Sequence, residues 1–145
     1  MANAISNVFK QELLKGNHDF DGGATYKLAL FTSSKTATAS DPTAYNDTNE
    51  QADTGTYSAG GGTLANPAVT GGSSATTAYV DFDDISFTTA TITARYAQIY
   101  RSDGSAPTNN SVCILDFGGD FTTTAGTFTV QFPSGGTSTA ILRLA

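Results

Sequence analysis

The sequence predicts a mainly β protein: an antiparallel β-sandwich or jelly-roll-like domain with one short N-terminal helix and a long polar loop. Three observations predict it. Short runs alternate apolar and polar residues with period two, as in Phe128, Val130 and Phe132 against Thr127, Thr129 and Gln131. Clusters of Gly, Pro, Asn, Asp and Ser separate those runs. Only one stretch, near the N-terminus, has helical spacing, which argues against a parallel α/β sheet.

From Asn3 to Lys15, the residues Ile5, Val8, Phe9 and Leu13 fall at helical spacing, Asn3 or Ser6 can cap the start, and Gly16 can take the left-handed C-terminal position. A helix this short is unstable alone in water. Its Ile5, Phe9 and Leu13 stripe must therefore dock on its own domain or on a neighbouring subunit. After a turn-rich link, Thr25 to Phe31 sets Tyr26, Leu28 and Leu30 opposite Lys27, Ala29 and Phe31 and reads as the first strand. The excursion from Thr32 to Gly62 is polar, with Tyr45 and Tyr57 as its only aromatic side chains. Loops of this length are commonly functional or ordered only by a partner. Gly60-Gly61-Gly62 marks its end; a short strand near Thr63 to Val69 and a turn at Gly71-Gly72 follow.

Between Thr77 and Phe87, Val80 and Phe82 share one parity while Ile85 and Phe87 share the other. The inward face changes across Asp83-Asp84, which requires a bulge or a break there. Ile92 to Tyr100 is the longest unbroken run and the expected central strand, because neither alternating face is purely polar. One face carries Ile92, Ala94, Tyr96, Gln98 and Tyr100, the other Thr93, Arg95, Ala97 and Ile99. Its second face needs cover from the long loop, the helix or a second subunit. A turn through Ser102 to Pro107 leads to Val112 to Phe117, which can pair with it; Gly118-Gly119-Asp120 turns the chain, and Thr127 to Phe132 and Ala140 to Leu144 close the domain.

A chain of 145 residues with 39% hydrophobic content fits one domain, 1–145, and at this size folding buries about 68–70% of the unfolded surface. Net charge is -6, with seven Lys and Arg scattered along the chain, so there is no basic stripe to bind a nucleic-acid backbone. No apolar run has the length of a membrane span, and the N-terminus lacks a signal-peptide core. The expectation is a soluble protein with no membrane partner, synthesised in a cytoplasm. The lone Cys113 sits in the apolar run Val112 to Leu115, as a buried reduced thiol would.

Catalytic equipment is not visible. His18 is the only histidine, in a turn-like setting that reads as surface, with no nucleophile motif beside it. Asp19 and Asp21, and Asp81, Asp83 and Asp84, are spaced like oxygen ligands, yet neither set matches a calcium loop, and alternation along a strand explains the second. The run Ala59 to Gly62 lacks the Lys and Ser/Thr of a phosphate loop. No catalytic residue, metal or cofactor is expected. Most aromatics read as core; Tyr45 and Tyr57, alone in a polar loop, read as interface.

The segments Tyr26 to Ser33, Asn49-Glu50 through Gly55 to Gly61, Ile92 to Tyr100, and Leu115 to Gly118 together resemble small virion structural proteins of tailed bacteriophages. The resemblance implies a non-enzymatic capsid decoration or cement protein, located in the virion on the outer face of the phage head. Its implied partners are the major capsid protein and itself, as a homotrimer at symmetric lattice positions. The assembly contacts expected on this reading are Ile5, Phe9, Leu13, Tyr45 and Tyr57. A tail- or fibre-associated virion protein is the alternative within the structural class, and a carbohydrate-binding module for host-surface attachment is the alternative outside it.

Overall fold

Alternation in the sequence places strands well but does not say which sheet each joins. In a computed structural model describing residues 4–40, 43–71, 76–103 and 109–145, the order is β1 (Ala4–Ile5), α1 (Asn7–Leu14), β2 (Tyr26–Phe31), β3 (Gly62–Thr63), β4 (Ala68–Thr70), β5 (Ala78–Asp81), β6 (Ile85–Ala90), β7 (Thr93–Arg101), β8 (Ser111–Thr122), β9 (Gly126–Val130) and β10 (Leu142–Leu144). The pairings are antiparallel and make a five-stranded sheet β1-β8-β7-β2-β3, a three-stranded sheet β10-β5-β4 and a two-stranded sheet β6-β9. The fold is mainly β and sandwich-like, with one short helix. Asn3, Gly72 and the part of the Ser102 to Pro107 turn beyond Asp103 lie outside the described residues.

The expected central strand, β7, is the middle of the large sheet, between β8 and β2. One face of that sheet contributes Leu28, Leu30, Ala97, Ile99, Cys113 and Leu115 to the main core. Val80, Phe87, Phe128, Val130 and Leu142 of the smaller sheets join them, together with Phe9 of α1. Burial in that core pushes the Cys113 thiol up to about 12. On the opposite face Ala29, Phe31 and Tyr100 form a separate cluster with Tyr45 and Tyr96. Strict period two in β2 sends alternate residues to the two clusters.

In β7 the period slips: between Ala94 and Tyr96 its pairing with β8 jumps from Phe121 to Asp116. Residues 117–120 of β8 thus oppose Arg95 alone, and the turn expected at Gly118-Gly119-Asp120 is instead a bulge inside one long strand. The slip lets Ala94 and Ala97, of opposite parity, both enter the main core.

The break expected at Asp83-Asp84 is present and separates strands of different sheets, β5 and β6. The single strand expected from Thr63 to Val69 is corrected to two, β3 and β4, which also belong to different sheets.

Ile5 does not belong to the helix, a second correction: it pairs with Cys113 as part of β1. The helix begins only after Ser6, whose side chain is fully buried and bonds Ser111 Oγ at 2.6 Å instead of capping the helix. At the other end Gly16 takes the left-handed conformation, φ +75°. Its N–H meets Leu13 O and the Asn17 N–H meets Glu12 O, the paired bonds of a Schellman stop.

Candidate functional site

The long loop, expected to be functional or ordered only by a partner and named as one possible cover for the second face of the sheet, is fastened to its own sheet. Gln51 N–H bonds Leu30 O, Phe31 bridges Glu50, and the Lys35 ammonium stands 4.0 Å over the Phe31 ring while bonding Asn46 and Thr48 oxygens. At the middle sits Glu50. Its Oε1 accepts the Tyr57 hydroxyl at 2.7 Å and the Gly60 N–H at 2.7 Å, and its Oε2 accepts the Tyr45 hydroxyl at 2.6 Å. Tyr45 stacks on Tyr100 with ring centroids 4.4 Å apart, and the Tyr100 hydroxyl donates to Gly60 O. Burial and the facing carboxylate drive the Tyr45 and Tyr57 phenols well above their ordinary range, so both remain protonated donors.

These contacts decide two of the expected assembly residues. Tyr57 is a core residue, 1% exposed: its ring meets Phe87 edge-on, and its hydroxyl accepts the Leu30 N–H. The reading of Tyr57 as an interface side chain is corrected, because its polar neighbours in sequence hide an inward-pointing ring. Tyr45 is half-buried and already partnered within the chain.

The helix residues lie elsewhere. Phe9 packs into the main core, edge-on to His18 at 4.7 Å and Phe20 at 6.1 Å, so α1 docks on its own domain. Ile5, Phe9 and Leu13 all border a cleft of about 660 Å³ between α1 and the core-facing side of β10-β5-β4. There the sandwich is open-ended. The row Leu142, Val80 and Val69 passes from buried on β10 and β5 to 46% exposed at Val69 on β4, and Leu144, two residues along β10 from Leu142, is 59% exposed. Across the cleft Leu14 is 90% exposed. Three of the four exposed large hydrophobic side chains among the described residues thus edge one cleft. The fourth, Phe121, 55% exposed, borders a smaller apolar groove of about 390 Å³ with Phe117 and Phe128.

Leu14, Leu144 and Val69 were not singled out by sequence reasoning, although Leu14 carried a signal: it is a large apolar residue standing off the Ile5, Phe9 and Leu13 stripe.

His18, read from sequence as a surface residue, is 7% exposed and borders the same cleft. Phe9, Phe20 and Tyr26 surround it. The Tyr26 hydroxyl and His18 Nδ1 share a hydrogen bond of 3.2 Å whose direction is set by the ring tautomer. The histidine Nε2 is buried without a hydrogen-bond partner among the described residues. Burial, with the nearby Arg101 cation, lowers the histidine pKa to about 4, so the ring is neutral at pH 7. Among the described residues the ring's hydrogen-bond partner is the Tyr26 phenol, whose own pKa is pushed up to about 12 by burial.

Three of the aspartates serve the fold. Asp21 accepts the Val69 N–H, Asp83 the Asn66 amide and Asp84 the Phe132 N–H. Among the described residues no group of three His, Cys, Asp or Glu side chains is placed to hold a metal ion. The glycine run ending the long loop serves close approach: a Cβ on Gly61 would stand 2.0 Å from Leu28 O.

The chemistry gathered at the large cleft is that of a docking surface: apolar walls, exposed leucines at the rim and a neutral histidine at the edge. No protein-family model, curated protein or solved structure matches this chain.

Proposed function

We propose that this chain is a non-enzymatic assembly protein of a phage virion, decorating the outer face of the head and reinforcing contacts between major capsid proteins. The virion setting comes from the resemblance of its strand segments to small phage structural proteins. The observation that supports a docking role is the gathering of Leu14, Val69 and Leu144 around one apolar cleft. Contiguous exposed apolar surface on a small domain marks an interaction site more often than chance exposure. In this reading the partners are the major capsid protein and further copies of the chain arranged about local symmetry axes.

The test is the composition of purified particles. Heads separated from tails should carry the polypeptide, and Leu14→Asp and Leu144→Asp copies, checked for native folding, should fail to decorate heads that lack it. Finding the chain only in tails would move it to the tail-associated alternative. Undiminished decoration by both variants would remove the cleft from the account.

A further inference from the structure

The cleft has a second property, which lies in the backbone beside it. The three-stranded sheet ends on β4 at one edge and β10 at the other. The β4 edge is closed: the Val69 N–H is capped by Asp21 Oδ1 at 3.2 Å. The β10 edge is open, since among the described residues no hydrogen bond reaches its backbone from the side away from β5. An exposed strand edge is a template for one more strand. The residues of β10 also form a wall of the apolar cleft, so an added strand would turn alternate side chains into it.

Charge selects among the strands that could add. Arg143 stands at the middle of β10, exposed, with its guanidinium on Thr137 O and no ion pair among the described residues; Lys10 across the cleft is likewise without one. A second copy pairing β10 with β10 about a two-fold axis would set Arg143 against Arg143, and like charges directly opposite destabilise a strand pair. An acidic residue at that position has the opposite effect.

We propose that the β10 edge and its cleft accept an extended segment of a different protein, apolar at alternate positions and acidic opposite Arg143. This rests on the docking reading given above and names the chemistry of the partner; it describes strand addition with no covalent step.

The experiment uses the isolated full chain, so it succeeds or fails independently of phage heads. Isotope-labelled protein is titrated with a seven-residue peptide of alternating valine and threonine with a central glutamate, and with a twin carrying lysine instead. The expected result is saturable amide shifts at 142–144 and at Leu14 and Val69, with the glutamate peptide about five- to tenfold tighter. Arg143→Glu, at an exposed position, should keep the core spectrum and invert the preference. Equal binding of both peptides, absence of shifts at 142–144, or the same shifts on concentrating the protein without peptide would each overturn the proposal, the last in favour of a second copy. Tight, charge-selective peptide binding by a chain that fails to decorate heads would retain this inference and remove only the virion setting.

Discussion

Replacing Glu50 tests whether one carboxylate fastens the long loop. Glu50→Ala removes the acceptor of the Tyr57 and Tyr45 hydroxyls and of the Gly60 N–H. Tyr45 is half-buried and can turn to water, whereas Tyr57 is fully buried, with Leu30 O at 3.5 Å as its one alternative acceptor among the described residues. Each orphaned buried group costs about 1–3 kcal/mol, so the expected loss is about 2–4 kcal/mol. For a chain of this size that lowers the melting temperature by about 6–12 °C. Glu50→Gln separates geometry from charge. Its amide oxygen can keep the Tyr57 and Gly60 donors while its nitrogen donates to the Tyr45 oxygen, so the expected loss is about 1 kcal/mol. Urea unfolding gives both values, and a double-mutant cycle of Glu50→Ala with Tyr57→Phe should show coupling of about 1 kcal/mol or more. A Glu50→Ala loss below about 0.5 kcal/mol, the range of an ordinary surface change, would refute the carboxylate as the fastening.

Other expectations follow from single contacts. Gly61→Ala forces a Cβ against the Leu28 carbonyl at φ +74° and should cost several times more than Gly16→Ala, which has a similar φ but open space and should cost about 1 kcal/mol; chemical denaturation compares them. Gln98 is fully buried between Ala29 and Ile114, with neither amide atom hydrogen-bonded among the described residues, so Gln98→Met should raise the unfolding free energy by about 1 kcal/mol or more, and a fall would show that the amide has a partner. His18 has a folded pKa of about 4, below its unfolded value of 6.5, so the unfolded chain binds more protons between them. Its contribution is therefore complete above about pH 6.5, is lost as pH falls towards 4, and changes no further below that. Stability measured across this window should slope less in His18→Gln than in the parent protein, and an unchanged slope would assign the dependence to other groups.

The strands were legible because period two is written directly into residues such as Tyr26, Leu28 and Leu30. The parity change before Ile85 even announced a break between sheets. Register slips were not legible: nothing in Tyr96 to Asp120 states that residues 117–120 face one residue of β7, since a bulge depends on the partner strand. The helix start was misplaced because Ile5 fits helical spacing as well as it fits β1, and only the buried Ser6 to Ser111 contact separates them. Tyr57 and His18 were misread for a common reason. Each lies among polar neighbours in the chain but among aromatic rings in space, and long-range packing leaves no local mark. The cleft was half legible, through Ile5, Phe9 and Leu13, while its exposed rim depends on where the sandwich stops, which no single segment encodes.

The unequal edges of the three-stranded sheet also limit growth. A head-to-tail filament needs two complementary edges on every copy, one to give and one to receive. Here Asp21 occupies the backbone donor of the giving edge, while the receiving edge repels its own kind through Arg143. On the strand-addition proposal, such a sheet is lengthened by one foreign strand and then stops. Crowding many copies side by side on a surface would therefore not chain them through these two edges, and any contact between copies would have to use another face.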